Sequence, residues 1–122
     1  MYYVWRYNAK RNKMSNEKSS DPGLLILTSL AAGARHGYAI MEDVEQLAGV
    51  RLGPGTLYGA LARLEERGWI EPVVDSDPSP TQQRRRPYRL TERGNTALRE
   101  ELERLIQLTR IGLGRLAEAS AT

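Results

Sequence analysis

The feature that most limits how this chain can fold is an apolar stripe near its C-terminus. The apolar positions recur at gaps of three and four, the spacing of one helix face: Leu98, Leu102, Leu105, Thr109, Leu113 and Leu116, widened by Ile106, Leu108 and Ile111. The pattern predicts a helix from Thr91 to about Glu118. A helix so long and so apolar cannot be covered by one small body, so it is typical of the seam of a dimer.

A second apolar helix is predicted near the start of the sequence. Asp21 is a good N-cap, and Pro22 suits the first helical position. The helix has almost no polar face before Gly33, because of Leu24, Leu25, Ile26, Leu27 and Leu30. A second subunit is the natural cover for both helices. We therefore expect a homodimer whose interface contains Leu24, Leu25, Leu27, Leu102, Leu105, Ile106, Thr109, Leu113 and Leu116.

Composition excludes several classes of protein. The chain has 122 residues, which suits one domain with a modest core, and 40% of them are hydrophobic against 27% charged. Because it has no Cys, disulfides and Cys-based zinc or redox sites are excluded, and we expect a cytoplasmic protein. His36 is the single histidine, so no metal site and no cofactor are expected. No apolar run approaches the length of a membrane span, so no membrane partner is expected.

Positive charge is concentrated in two segments of the chain, which are separated by an acidic one. Residues 1–20 carry a net charge of +4, residues 21–80 carry −5, residues 81–94 carry +4, and the remainder is balanced. Local basic arms of this kind fit a polyanionic partner, although merely solvated arms would have the same composition. Residues 1–20 are predicted to be a flexible tail, with Met14 as an alternative start. The aromatic residues of this tail, Tyr2, Tyr3, Trp5 and Tyr7, are costly to leave in water.

Turn residues divide the middle of the chain into further elements. A helix is predicted over Gly37–Ala48 with Gly49 as its stop, and another follows Gly53, with Pro54 in its first turn and Gly68 as its stop. Their inward positions are Ile40, Met41, Val44, Leu47 and Ala48 in the first helix, and Leu57, Leu61 and Leu64 in the second. The β-prone runs over residues 69–74 and 86–90 predict a hairpin, which Pro72 and Pro87 keep short.

The predicted order is therefore helix, helix, helix, hairpin, helix. This is the plan of a winged helix-turn-helix protein, a mainly α (α+β) fold with a two-stranded wing and a long C-terminal dimerisation helix. We divide the chain into the tail 1–20, a winged-helix domain over residues 21–92 and the dimerisation helix over residues 93–122.

The third helix has the composition of a helix that reads DNA. Gly55 and Gly59 lie opposite its leucines, where small residues would let the backbone descend into a major groove. Tyr58 and Arg63 could then reach bases or phosphates, and Thr56 lies near a helix N-terminus, which favours phosphate. The predicted contacts are Pro54, Gly55, Thr56, Tyr58, Gly59 and Arg63. The alternative is that the two glycines only ease packing and that Arg63 pairs with Glu66 on the surface.

The hairpin supplies a second basic element. Arg84, Arg85 and Arg86 are adjacent and repel one another, so a phosphate backbone or minor groove is a sensible partner; the alternative is a solvated charge run. Tyr38, at the start of the second helix, is expected to pack its ring in the core with its hydroxyl towards DNA.

Four stretches together resemble the PadR family of transcriptional regulators. They are residues 36–40 (His-Gly-Tyr-Ala-Ile), 52–58 (Leu-Gly-Pro-Gly-Thr-Leu-Tyr), 61–70 (Leu-Ala-Arg-Leu-Glu-Glu-Arg-Gly-Trp-Ile) and 86–94 (Arg-Pro-Tyr-Arg-Leu-Thr-Glu-Arg-Gly). The single last helix resembles the short subgroup of that family. Two features depart from the family pattern: the last helix has no aromatic residue to bind planar drugs, and the tail is aromatic.

The resemblance implies a winged-helix dimer held by its first and last helices. Such a dimer would bind double-stranded DNA at a roughly palindromic promoter site, would usually repress, and in some members would release DNA when a small aromatic effector binds. By position, the resemblance makes Thr56 and Tyr58 recognition contacts, Tyr38 a backbone contact, and Arg84, Arg85 and Arg86 wing contacts.

Three functions remain open at this stage. The first is a sequence-specific repressor. The second is a small-molecule-sensing module with its site at the dimer interface. The third is a protein-interaction adaptor that kept the fold and lost DNA binding, suggested by the acidic body and the aromatic tail. We expect no enzyme, because no nucleophile, acid–base pair or phosphate-binding loop has the required spacing.

Overall fold

The structure is a computed structural model that describes residues 21–74 and 86–121. The elements are α1 (Pro22–Leu30), α2 (Gly37–Ala48), α3 (Pro54–Glu66), β1 (Ile70–Pro72), β2 (Tyr88–Leu90) and α4 (Glu92–Ala121). The predicted order of elements is confirmed. The predicted tail over residues 1–20 lies outside the described residues.

Capping residues place the helix ends where the sequence predicts them. The Asp21 carboxylate accepts a hydrogen bond from the Gly23 N–H at 3.0 Å, which satisfies a free donor at the start of α1. The first helix therefore begins as expected. Gly49 ends α2 in the left-handed region, with φ of 68°, which a glycine adopts without steric cost. Pro54 opens α3, where its missing N–H removes no hydrogen bond.

The core lies where α1, α2 and α3 meet the hairpin and the first turns of α4. Its buried side chains are Ile26, Leu27, Leu30, Ile40, Val44, Leu52, Leu57, Ala60, Leu61, Leu64, Ile70 and Leu98. The predicted stripe of α3 is thus buried as a unit. Leu47 was expected to face inward, but it is 53% exposed. It lies on the same side of α2 as Ile40 but two turns further along, near the end of the helix.

The hairpin is antiparallel and short. Ile70 pairs with Leu90, and the register ends at Pro72 opposite Tyr88. One further hydrogen bond follows, from the Val73 N–H to the Pro87 carbonyl at 2.8 Å, but Pro87 has no N–H to return it, in line with the predicted short pairing. The hairpin is also anchored outside itself, because Tyr88 forms an isolated bridge with Arg35 in the turn between α1 and α2.

The last helix is longer than the body that supports it. It begins at Glu92, one residue later than predicted, and continues to Ala121, three residues further than predicted. Leu98 is buried at its base, whereas every residue from Ile106 to Ala121 is exposed. Among the described helices, none combines the length and the apolar character that crossing a membrane requires.

Candidate nucleic-acid interface

In its N-terminal half, the outward face of α3 is built from small and uncharged residues. Leu57, Leu61 and Leu64 hold the helix on the core, which turns Gly55 and Gly59 away from it. A Cβ built on Gly55 would have no neighbouring atom within 4 Å, and a Cβ on Gly59 would meet only the Arg63 guanidinium at 3.7 Å. Packing inside the protomer therefore does not require either glycine. The alternative that they only ease packing finds no support in these contacts.

Charge is distributed unequally along α3. The first nine residues of the helix carry no charged side chain, whereas Arg63, Glu65 and Glu66 lie in its last turns. The N-terminal end also carries the positive end of the helix dipole. A negatively charged duplex would therefore approach the N-terminal half, where Pro54 and Thr56 are exposed. Arg63 is exposed, and within residues 21–74 and 86–121 it forms no ion pair with Glu66.

Tyr58 connects the outward face of α3 to the start of α2. Its ring packs against Gly37, so that a Cβ at position 37 would lie 2.8 Å from the Tyr58 hydroxyl oxygen. The side chain is nevertheless 45% exposed. The ring is thus supported on one side by backbone and is accessible on the other, which is the geometry of a positioned contact residue.

Tyr38 is not placed as the sequence suggested. The expectation of a ring packed in the core is wrong, since Tyr38 is 62% exposed. It follows the buried Gly37 by one residue, and a rotation of about 100° carries its side chain away from the core. Most of the side chain is therefore available to a partner at the start of α2.

Only part of the predicted arginine cluster can be placed. Arg84 and Arg85 lie outside the described residues. Arg86 is half-buried at the base of the wing, and its Nε is buried with no hydrogen-bond partner in the described part of the chain. Burial raises the pKa of the neighbouring Tyr88 hydroxyl, and Glu65 and Tyr58 add to this, whereas Arg86 lowers it. The base of the wing thus lies within electrostatic range of α3.

Two arginines that the sequence did not single out hold the wing in place. The Arg35 backbone exchanges hydrogen bonds with Tyr88 at 3.0 and 2.8 Å, and its side chain donates to the Ser29 carbonyl at 3.1 Å. Arg89 donates to the Glu71 carboxylate across the hairpin at 2.8 Å. The ion pair of Arg89 with Glu71 follows from the register of the hairpin, in which the two residues lie opposite each other. No local pattern signals the Arg35 bridge, because its partner is distant in sequence.

The predicted dimer residues fall into three groups. Leu102, Ile106, Thr109, Leu113 and Leu116 are exposed on α4, with Leu105 half-buried. Leu24 and Leu25 are partly buried against the core and keep some surface. Leu27 is 4% exposed, which makes it a core residue of the protomer with little surface to offer a partner. The exposed part of α4 therefore carries most of the predicted seam.

Metal-ligating side chains do not cluster within the described ranges. No group of three or more His, Asp or Glu residues there could hold a metal ion. His36 instead precedes α2 as its N-cap residue, without a side-chain capping bond.

Three packed helices, a hairpin bridged to the first turn and a long last helix define the winged helix-turn-helix class. The site fits that class, because α3 presents its N-terminal half outward beside the wing. Within this class of proteins, a sequence profile of the transcriptional regulator PadR-like family matches residues 26–100 of the chain. The chain belongs to this family.

Individual relatives agree with this assignment. Transcriptional regulator Rv3488 of Mycobacterium tuberculosis is 37% identical over 94 residues, which cover 75% of this chain and 81% of that protein. A PadR family transcription regulator from Clostridium difficile has a similar crystal structure, with a TM-score of 0.66 and 26% identity over 77% of this chain and 96% of that one.

Another relative is much longer. A 37.1 kDa protein encoded in transposon TN4556 of Streptomyces fradiae is 40% identical over 103 residues. The match covers 84% of this chain but 27% of that protein, so the chain spans about a quarter of its relative's length.

Proposed function

We propose that the protein is a homodimeric transcriptional repressor that binds a palindromic promoter site. The observation that carries this proposal is the N-terminal half of α3, which is uncharged, lined by glycines with open space around them and held outward by its buried leucines. In the proposed complex α3 enters the major groove, where Thr56 and Tyr58 meet base edges or phosphates. Pro54, Gly55 and Gly59 allow close approach of the backbone.

The remaining contacts surround that helix. Tyr38 and Arg63 reach the phosphate backbone on either side of α3, and Arg84, Arg85 and Arg86 bind it from the wing. Two-fold symmetry of the dimer then requires two inverted half-sites about one helical turn apart, or a multiple of that spacing. Bound across a promoter, the dimer would exclude the transcription machinery.

The direct test is selection of bound fragments from a random pool of duplex DNA. We expect an inverted repeat, whose half-site gives the sequence read by α3. A reporter gene driven by a promoter carrying that repeat should be expressed less when the protein is present. Recovery of no common sequence at low salt would contradict the proposal, and a pulled-down protein partner would then favour an adaptor.

A double substitution locates the contact. Thr56→Ala with Tyr58→Ala should weaken binding to the selected repeat by about tenfold to a hundredfold, the size expected for one or two lost contacts per half-site. Thr96→Ala is the matched control, because Thr96 is exposed on α4, away from α3. Both proteins should remain dimers. Unchanged affinity of the double variant would remove α3 from the interface.

A small aromatic effector is a second candidate function with one supporting observation. A cavity of about 250 Å³ lies between α1 and α4, and its apolar lining includes Leu24, Leu27, Leu64, Trp69 and Ala97. The Arg67 guanidinium covers the Trp69 ring at 5.1 Å, a cation–π contact that an aromatic ligand would have to share or displace. Single-ring aromatic compounds should then raise the melting temperature and weaken DNA binding, and failure to do either would remove this role.

A further inference from the structure

We infer that Gly37 is a positioning residue for DNA binding: its missing Cβ makes the space that holds the Tyr58 ring at the proposed interface. This inference rests on the proposed function, since it deepens the role of Tyr58 there. Gly37 itself is buried and would not touch DNA.

Conformation does not explain a glycine at this position. Gly37 is not among the glycines with positive φ, which are Gly33, Gly49 and Gly68. Gly37 opens α2, where alanine would be a better helix former. Glycine is therefore unfavourable for the helix at this position. Its benefit lies in the room left by the missing side chain rather than in backbone conformation.

The contacts around position 37 supply that benefit. The three atoms nearest to a Cβ built there all belong to Tyr58: the hydroxyl oxygen at 2.8 Å, Cζ at 3.2 Å and Cε1 at 3.3 Å. Real Cβ atoms essentially never lie closer than 3.0 Å to another heavy atom. Gly53 and Gly55, at the start of α3, have no such neighbour within 4 Å. The close approach at Gly37 is thus specific to the Tyr58 ring.

Displacing the ring would disturb the proposed contact. A Cβ at position 37 pushes the hydroxyl end of Tyr58 outward or forces a new rotamer. Hydrogen bonds of hydroxyl groups are confined to a narrow range of distances and angles, so a shift of several tenths of an ångström weakens them. Gly37→Ala should therefore reduce DNA affinity through Tyr58, although it changes no residue at the interface.

Double-substitution cycles test this coupling. Gly37→Ala should weaken binding to the selected repeat by roughly tenfold in the otherwise unchanged protein, the cost of one lost contact. The penalty should shrink in a Tyr58→Phe background, where the 2.8 Å neighbour is gone, and vanish in a Tyr58→Ala background. Combined with Thr56→Ala, which is not among the neighbours of position 37, the same change should be additive.

Thermal unfolding without DNA gives an independent measurement. Gly37→Ala should raise the melting temperature less in the unchanged protein than with Tyr58→Ala, where the improved helix propensity acts without the contact to the ring. A Gly37→Ala penalty on DNA affinity that persists without the Tyr58 ring would overturn the inference. If Tyr58→Ala alone leaves DNA affinity unchanged while the melting cycle behaves as expected, the packing holds and the proposed DNA contact fails.

Discussion

Gly94 lies against the backbone of Trp69 so closely that a Cβ at position 94 would overlap the Trp69 carbonyl oxygen. The same carbonyl accepts the Thr91 N–H at 3.0 Å, and the Thr91 hydroxyl donates to the Gly68 carbonyl at 2.6 Å. That hydroxyl also accepts the Gly94 N–H at 3.0 Å and so caps α4. The crossing therefore fixes the last helix to the end of the winged domain, and with it the position of the proposed dimer seam relative to α3.

Gly94→Ala should destabilise the protein by about 2–3 kcal/mol, the upper part of the range for an overpacked buried site. The added methyl group meets backbone rather than a flexible side chain, so neither element can yield without moving the start of α4. Urea unfolding measures the change. Gly112→Ala is the control, because a Cβ there meets nothing within 4 Å and should be neutral or stabilising. Equal stability of the two variants would contradict the tight crossing.

Local patterns account for what the sequence predicted correctly. Proline, aspartate and glycine mark the helix ends through backbone restrictions that act within a few residues, and the spacing of Leu57, Leu61 and Leu64 identifies the buried face of α3. The open surface at Gly55 follows from the same spacing. Such rules depend only on near neighbours and therefore transfer from sequence to structure.

The remaining features depend on contacts between residues that are distant in sequence. The space made by Gly37 for Tyr58 and the bridge from Arg35 to Tyr88 leave no periodic signal, so neither could be predicted from local patterns. Tyr38 was misplaced because its aromatic character suggested burial, whereas its position beside Gly37 decides its direction. Leu27 was assigned to a dimer seam because α1 is apolar all round, yet one side of that helix is covered within the protomer.

The stability of the fold should decrease in strongly alkaline solution through Tyr88. Burial raises the pKa of its hydroxyl above the ordinary value of 10.0, with Glu65 as the next cause. As pH rises, the unfolded chain therefore loses this proton before the folded chain does. The contribution of Tyr88 to the free energy of unfolding is complete below pH 10.0 and is lost as pH passes through the folded-state pKa. In urea unfolding across this pH range, the free energy of unfolding should decrease less with pH for Tyr88→Phe than for the unchanged protein. Identical pH profiles would show that Tyr88 contributes nothing to it.

Replacing Leu113 and Leu116 by Glu should dissociate the proposed dimer. Both leucines are exposed in the protomer, at 63% and 67%, so their substitution leaves the core intact. Loss of four buried leucines per dimer should raise the dimer dissociation constant by at least about a hundredfold, as measured by analytical ultracentrifugation. Gln107→Glu is the control, because it adds a negative charge at an exposed position on the other side of α4 from Leu102. A double variant that dimerises as well as the control would place the interface elsewhere.

Binding to the selected repeat should fall steeply with salt, and the wing should account for part of the slope. Each phosphate contact contributes about −0.9 to the slope of log affinity against log salt concentration. Replacing Arg84, Arg85 and Arg86 by Gln should therefore make the slope shallower by roughly 0.9 for every contact removed, counted over both subunits. Arg104→Gln is the control, because Arg104 lies on α4 in an ion pair with Glu101 at 2.5 Å, and its loss should leave the slope unchanged. If the wing variant keeps the original slope while the unchanged protein binds the repeat, the arginines do not touch phosphate and the duplex is held without the wing.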